Sequence, residues 1–370
     1  MNVLWLTNIP SPYRVDFFND LGKTINLTVL FERDKASDRD KSWSKSEYEN
    51  FKAIFLKGIN ITQDTALCPS IIKWVIKKKF DVIMITNYSS PTSIIAIEFM
   101  KLNKIPFVIE ADGGFLKSDK SKLVKGFKKH LISSASYWFS SGEITDNYFK
   151  YYGAKSERIF RYHFSSIYLN NILDQPISNT EKQKLKMDLF QNQKSNAIAV
   201  GRFIKSKNFD LLIKAWIEVD RKYELIIIGS GPEKESYEQI IEKNKLNNIK
   251  IINFKSKEDL IKFYLASDLF VLPTFEDVWG LVINEAMACG LPIITTNKCI
   301  AGIELVESGI NGEILNPLDQ KGLTEKVNRY LKDADFLQKV SLENIKKIKN
   351  YTIDRMVKEH LEAFKKISVR

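Results

Sequence analysis

Two segments combine charged side chains and glycines at a spacing suited to holding a diphosphate. In Val200-Gly201-Arg202-Phe203-Ile204-Lys205-Ser206-Lys207-Asn208, an apolar run ends at Gly201 and a helical pattern starts near Asn208. A guanidinium fork at Arg202 and an ammonium at Lys207, held on such a strand-to-helix loop, can neutralise a diphosphate as it leaves. The plainer alternative is two solvated loop cations. The second segment runs from Phe275 to Gly290 and follows the apolar run Leu269–Leu272. Gly280 permits close backbone approach, and Leu281 and Val282 open a helix whose first N–H groups and positive dipole end attract an anion. Glu285, early in that helix, is placed to accept two hydrogen bonds from vicinal hydroxyls such as those of a ribose. Asp277, one turn before the helix, can accept hydroxyls of a sugar next to the phosphate, with Glu276 adjacent to it. Taken singly, these acids could equally be complements to a helix dipole. Gly229 and Gly231, in Ile228-Gly229-Ser230-Gly231-Pro232-Glu233, give a third element, and a Gly-x-Gly there is often only a tight turn.

The elements that must position these groups follow from the hydrophobic pattern. Short apolar runs alternate with helix-length amphipathic stretches along the whole chain, the pattern of parallel sheets covered by helices. Strands are expected at Val3–Thr7, Asn26–Phe31, Val82–Thr86, Phe107–Glu110 and Tyr137–Ser140, then at Ala197–Gly201, Glu224–Gly229, Lys250–Phe254, Leu269–Leu272 and Pro292–Thr296. The two halves rhyme: Leu102–Glu110 and Ala288–Thr296 both read as helix end, turn, proline and buried strand, with Asn103 and Gly290 as left-handed stops. The fold class is therefore α/β, two Rossmann-like doubly wound domains facing a central cleft, with ligand at the carboxyl ends of the strands. The expected domains are 1–180 and 181–351, with a linker over Asn170–Lys186, where apolar periodicity fades and Pro176, Ser178 and Asn179 cluster. A late amphipathic helix, 352–367, has no strand after it. After the first strand comes Asn8-Ile9-Pro10-Ser11-Pro12-Tyr13, so the dinucleotide-binding glycine fingerprint is missing.

Composition narrows the class further. The 370 residues are 44% hydrophobic and 27% charged, a globular balance, and no run approaches the roughly 18–20 apolar residues of a membrane span. The opening Met1–Thr7 reads as a first strand and not as a signal peptide. Cys68, Cys289 and Cys299 form no Cys-x-x-Cys pair, which suits a reducing cytosol. His130, His163 and His360 carry no ligand spacing, so neither metal nor cofactor is expected. A net charge of +11 favours an anionic partner without choosing among nucleic acid, anionic lipid and sugar nucleotide.

Taken together, Gly-Arg with a following Lys, Gly-x-Gly-Pro and acid-x7-Glu-Ala-Met-Ala-Cys-Gly-x-Pro resemble glycosyltransferase family 4, retaining enzymes of GT-B fold. The resemblance covers Asn196–Pro317 and includes the turn Gly309-Ile310-Asn311-Gly312. It implies that Arg202 and Lys207 bind the donor diphosphate, Glu285 the ribose, and an acid at 276 or 277 the transferred sugar. The spacing selects Asp277 where the family usually has Glu. Asn8–Phe18, with Pro12 and Arg14, resembles the openings of bacterial polysaccharide-assembly members. Glu110-Ala111-Asp112-Gly113-Gly114 follows a buried strand, and the resemblance implies that Glu110 or Asp112 contacts the acceptor or the reacting sugar; the plainer alternative is an Asp-Gly-Gly turn.

The resemblance further implies a front-face displacement without Mg2+, closure of the domains over the donor, and return of the late helix to the first domain. The partners expected are a nucleotide-sugar donor, UDP-linked, and a glycan or lipid-linked acceptor, with no nucleic acid. The expected location is the cytoplasm, peripheral on the inner face of the plasma membrane through the basic stretch Lys117–Lys129, where Leu123, Phe127 and Leu131 share one helical face. The competing reading of that stretch is a surface helix packed by its apolar stripe. Rival functions are another GT-B enzyme, such as a sugar-nucleotide epimerase or a phosphorylase, and a non-catalytic basic scaffold.

Overall fold

A computed structural model describes residues 1–35, 47–76, 79–116 and 121–368. The chain forms two compact units, Met1–Ser166 with Thr352–Arg370, and Ile167–Tyr351.

The first unit is built on strands β1 (Asn2–Thr7), β2 (Asn26–Phe31), β3 (Lys52–Phe55), the two-residue β4 (Ile59–Asn60) and β5 (Ala66–Leu67), β6 (Val82–Thr86), β7 (Val108–Ala111), β8 (Tyr137–Ser140) and β9 (Ile159–Arg161). Seven of these form a parallel sheet in the order β3-β2-β1-β6-β7-β8-β9, and β4 and β5 pair antiparallel apart from it. Its helices are α1 (Pro12–Gly22), α2 (Ile72–Val75), α3 (Pro91–Leu102), α4 (Lys122–Ile132) and α5 (Glu143–Tyr151). The apolar runs of β1, β2 and β6 to β8 are almost wholly buried, because helices cover both faces of a parallel sheet.

The second unit repeats the plan. Strands β10 (Asn196–Val200), β11 (Glu224–Ile228), β12 (Ile249–Ile252), β13 (Leu269–Leu272), β14 (Ile293–Thr296) and β15 (Gly312–Leu315) form a parallel sheet in the order β12-β11-β10-β13-β14-β15. Helices α6 (Asn179–Phe190), α7 (Phe209–Ala215), α8 (Lys234–Lys243), α9 (Lys257–Leu265), α10 (Leu281–Ala288), α11 (Ile300–Leu305), α12 (Gln320–Lys332) and α13 (Ala334–Ile348) surround it. Helix α14 (Ile353–Ser368) belongs to the first unit, against α1. Both sheets therefore reverse strand order at one point, between β1 and β6 and between β10 and β13, and such switch points open a crevice at the carboxyl ends of the strands.

The two doubly wound sheets match the expected α/β class, and the ten expected strands appear with ends shifted by at most two residues. The edge strands β3, β9 and β15 escape the pattern because their burial is incomplete and their apolar runs short. The left-handed residue after α3 is Lys104, at φ 55°, and not Asn103, at φ −95°; Gly290 is left-handed at φ 73°. The Asn103 side chain instead donates to the carbonyl of Phe99, 2.8 Å away, and holds the helix end without leaving ordinary backbone space. The segment expected as a linker, Asn170–Lys186, contains the first two turns of α6, capped by the Ser178 hydroxyl. Apolar periodicity fades there because ion pairs anchor the helix: Lys182 and the buried Lys186 reach the Asp268 carboxylate at 3.2 and 2.5 Å.

Candidate active site

In the second unit the two motif loops leave β10 and β13, the strands that flank the switch point. Hydrogen bonds staple them together. Asn208, held at φ 57°, donates its amide hydrogens to the carbonyls of Pro273 and Pro317, both at 2.9 Å. The Thr274 hydroxyl and the Phe275 N–H donate to the carbonyl of Ser206, at 2.7 and 2.8 Å. This stapling brings the Lys207 ammonium onto the Asp277 carboxylate, an ion pair across the switch point between residues 70 apart in sequence. Both side chains keep partial exposure, so an anionic ligand can compete for Lys207.

Glycines permit close backbone approaches beside this site. At Gly229 a β-carbon would lie 1.9 Å from the carbonyl oxygen of Gly201, so only glycine lets the loops after β10 and β11 approach. Gly231 lies beside the Phe203 backbone. Gly280 caps α10 at φ 99°, and a β-carbon there would meet the Cys299 sulfur at 2.6 Å. Its identity is thus required by the backbone and by Cys299, whatever else approaches it. Helix α10 then opens with Leu281 and Val282, both half-buried, and the Tyr264 hydroxyl donates to Glu285 Oε2 at 3.3 Å. The side chain of Asp277, and not that of Glu276, is the acid on Lys207; the Glu276 N–H and carbonyl are both bonded to the Thr274 hydroxyl. Arg202 stands half-buried directly after Gly201.

The first unit gathers a different polar cluster at its own switch point. Pro12 starts α1, and Arg14, one turn in, is 3% exposed. Its guanidinium bridges two acids: Nη1 and Nη2 donate to Glu110 at 3.2 and 3.0 Å, and Nη2 also donates to Asp112 Oδ1. Glu110 is fully enclosed; it also accepts from the Thr86 hydroxyl at 2.9 Å and contacts His360 Nε2 at 3.2 Å. Asp112 is 20% exposed and accepts from the Tyr162 hydroxyl at 3.1 Å, with the half-buried Gly113 next to it. Of the two acids, Asp112 is therefore the one a solute can reach. Burial pushes the Glu110 carboxyl up, but the Arg14 and His360 charges outweigh it and hold it below the usual range. Asp112 goes the other way, raised by burial against the pull of Arg14, with the Glu110 charge adding to the rise.

Sequence reasoning left out His360, Tyr162, Thr86, Tyr264 and Asn208. Nothing in the spacing announces them, since His360 meets Glu110 across 250 residues and Tyr264 meets Glu285 across 21. Among the described residues no group of three or more His, Cys, Asp or Glu side chains could hold a metal ion, and no helix is long and apolar enough to cross a membrane. Of the basic stretch, Lys117 and Lys120 lie outside the described residues.

Residues 181–348 match the family model described as glycosyl transferases group 1. Among curated proteins, the chain is 27% identical over 228 residues to an uncharacterized glycosyltransferase of Methanocaldococcus jannaschii, covering 60% of this chain and 63% of that one. It is 30% identical over 167 residues to the capsular polysaccharide biosynthesis glycosyltransferase CapM of Staphylococcus aureus, covering 44% of each. The chain thus spans less than two thirds of the length of these relatives. Among solved structures, Anabaena Alr3699/HepE, determined with UDP, superposes with a TM-score of 0.80 at 18% identity over 99% of this chain and 100% of that one. The same protein has been solved with UDP-glucose, with a TM-score of 0.77 at 18% identity. Residues 181–348 therefore carry the match to the glycosyl transferases group 1 model, within a chain that shares its fold with HepE.

Proposed function

We propose that the chain is a retaining glycosyltransferase of family 4 that moves a hexose-type sugar from a UDP-linked donor to a glycan or lipid-linked saccharide, in cell-surface polysaccharide synthesis at the cytoplasmic face of a membrane. The observation that supports it most is the Lys207–Asp277 pair at the second switch point, flanked by Arg202 and by the opening of α10 with Glu285. In this reading the bond from the anomeric carbon to the phosphate oxygen breaks as the acceptor oxygen attacks from the same face. The acceptor proton passes to the departing phosphate oxygen, and negative charge accumulates on the diphosphate. Arg202 and Lys207 stabilise that charge, while the first N–H groups of α10 add to their field. Asp277, relieved of Lys207 by the diphosphate, accepts hydroxyls of the transferred sugar, and Glu285 accepts those of the ribose. Asp112 is the carboxylate assigned to acceptor hydroxyls. HepE, solved with UDP and with UDP-glucose, and CapM, named for capsular polysaccharide biosynthesis, support the donor and the pathway class.

A panel of nucleotide sugars incubated with the full chain, without acceptor, tests the reading. Slow release of UDP together with free sugar of retained anomeric configuration is expected, unchanged by EDTA. Consumption of no nucleotide sugar overturns it, as does conversion of one into an isomer with the nucleotide still attached.

A further inference from the structure

The donors that converge on the Glu110 carboxylate fix the state of His360, which α14 brings to the first switch point. The Trp5 indole can only donate, and it reaches the Thr86 hydroxyl at 2.8 Å. The single hydroxyl hydrogen of Thr86 therefore goes to Glu110 Oε2, 2.9 Å away. Arg14 adds a donor to Oε1 at 3.2 Å and one to Oε2 at 3.0 Å. With His360 Nε2 at 3.2 Å from Oε1, each oxygen has two partners, the full capacity of an ionised carboxylate. Glu110 has no lone pair left for a proton, so the hydrogen between it and His360 belongs to the ring. The other ring nitrogen, Nδ1, faces the Met356 carbonyl at 2.7 Å, an acceptor with no hydrogen to give. Both nitrogens donate, and a ring that donates twice is an imidazolium. The surroundings suit a cation. His360 is fully buried, and the rings of Trp5, Phe17, Phe139 and Tyr162 stand around it with centroids 5.8, 4.9, 5.1 and 4.7 Å away, within the roughly 6 Å over which an aromatic ring attracts positive charge.

We propose that His360 is a positioning residue that works as a buried imidazolium: by neutralising Glu110 it leaves Arg14 to be shared with Asp112, and so keeps Asp112 a carboxylate able to accept hydroxyl hydrogens. The charges balance, with Arg14 and His360 against Glu110 and Asp112. With a neutral ring, two carboxylates would divide one guanidinium. The excess negative charge in a buried site would then be relieved by protonating the more weakly held acid. That acid is Asp112, which burial, with the Glu110 charge adding to it, already raises to about 6. A protonated Asp112 would carry a hydrogen where the acceptor needs a lone pair. The remaining titratable group in contact, Tyr162, does not take part: burial holds its hydroxyl well above the ordinary range, so it stays a donor to Asp112. Glu359, one position before His360 on α14, turns away to His163 and Arg355. The proposal rests on the functional reading only for what Asp112 binds.

Nitrogen NMR of the full chain labelled with 15N-histidine, with no sugar nucleotide present, tests it. The chain has three histidines, and the His360 ring is assigned by elimination with His130→Gln and His163→Gln, both at partly exposed positions. At about pH 7.5, above the ordinary histidine range, both His360 nitrogens should show the protonated signature. Glu110→Gln should return the ring to a neutral form with its hydrogen on Nδ1, since the amide can donate to Nε2. In His360→Phe, which keeps a ring in the aromatic surround, the Asp112 carboxyl is followed by 13C-aspartate labelling and assigned by Asp112→Asn. Its titration midpoint should move upward by about one pH unit. The proposal is overturned if the wild-type ring is neutral at that pH, if Glu110→Gln leaves it unchanged, or if the Asp112 midpoint stays in place without His360. The wild-type spectrum decides the charge by itself if a core variant fails to fold. Because no readout needs turnover, a chain that consumes no nucleotide sugar yet holds His360 doubly protonated keeps this inference and loses the functional one.

Discussion

The two switch points carry the same ingredients, a basic residue after the first strand of the switch and an acid from beyond it, and they use them differently. In the first unit Arg14 is buried against Glu110, and Thr86, His360 and Tyr162 complete the set of partners around the acids. In the second unit Lys207 and Asp277 meet with partial exposure on loops held by Asn208 and Thr274. A buried pair has been desolvated already, so exchanging a partner leaves a charge with no water to replace it. The Lys207 and Asp277 side chains keep 15% and 16% exposure, so water and an anionic ligand can still reach both partners of that pair. The contrast assigns the first cluster to architecture, with Asp112 its one reachable member, and the second to exchangeable ligand chemistry.

Three experiments press on that contrast, the largest effect first. Arg14→Met removes the shared cation and leaves the buried Glu110 beside the partly exposed Asp112. Loss of about 3–5 kcal/mol in denaturant unfolding is expected, and a change under about 1 kcal/mol would place Arg14 among ordinary surface cations. In the second unit, Arg202→Ala and Glu285→Ala should each lower turnover of a UDP-sugar at least about a hundredfold while the unfolding midpoint stays close to wild type. Near-normal turnover in both would break the assignment of the second cluster.

The smallest effect concerns a buried acid of the first unit, Glu32, that pairs with no cation among the described residues. Burial raises the Glu32 carboxyl from its ordinary 4.5 to about 7, against the opposing hydrogen bonds from Ser90 and the Ala66 N–H. The fold therefore prefers the protonated form. The stability this group contributes is fully present below its ordinary range and is lost as pH rises through about 7. Glu110, held low by Arg14 and His360, has the opposite sign: its contribution is present above the ordinary range and lost as pH falls through its lowered value. Glu32→Gln can keep both hydrogen bonds and removes the titration. Its thermal midpoint at pH 8 should exceed wild type by roughly 2–4 °C, the size of about 1 kcal/mol in a unit of this length, and equal it near pH 3.5, where the carboxyl is protonated in the folded and unfolded chain alike. No difference between the two pH values would show that Glu32 ionises without penalty.

What could be read from the chain divides along the same line. The second site was legible because its residues are close in sequence: Gly201 to Lys207 and Asp277 to Glu285 each span one loop and one helix opening. The doubly wound fold was legible because parallel strands buried on two faces leave near-continuous apolar runs. The first cluster was only partly legible. Arg14, Glu110 and Asp112 stood out singly, but their shared guanidinium is a contact across 96 and 98 residues, and His360 adds one across 250. Edge strands such as β9 failed for lack of burial, and α6 was mistaken for a linker because lysines on Asp268, not an apolar stripe, hold it in place.

The claim that the donor is held by the second unit is tested most directly by calorimetric titration of UDP into the full chain. Arg202→Ala and Glu285→Ala should each weaken UDP at least about tenfold, the size of one lost charge-assisted hydrogen bond, and Asp112→Asn should bind it as wild type does. Loss of UDP binding in Asp112→Asn, with Arg202→Ala and Glu285→Ala unaffected, would contradict the account.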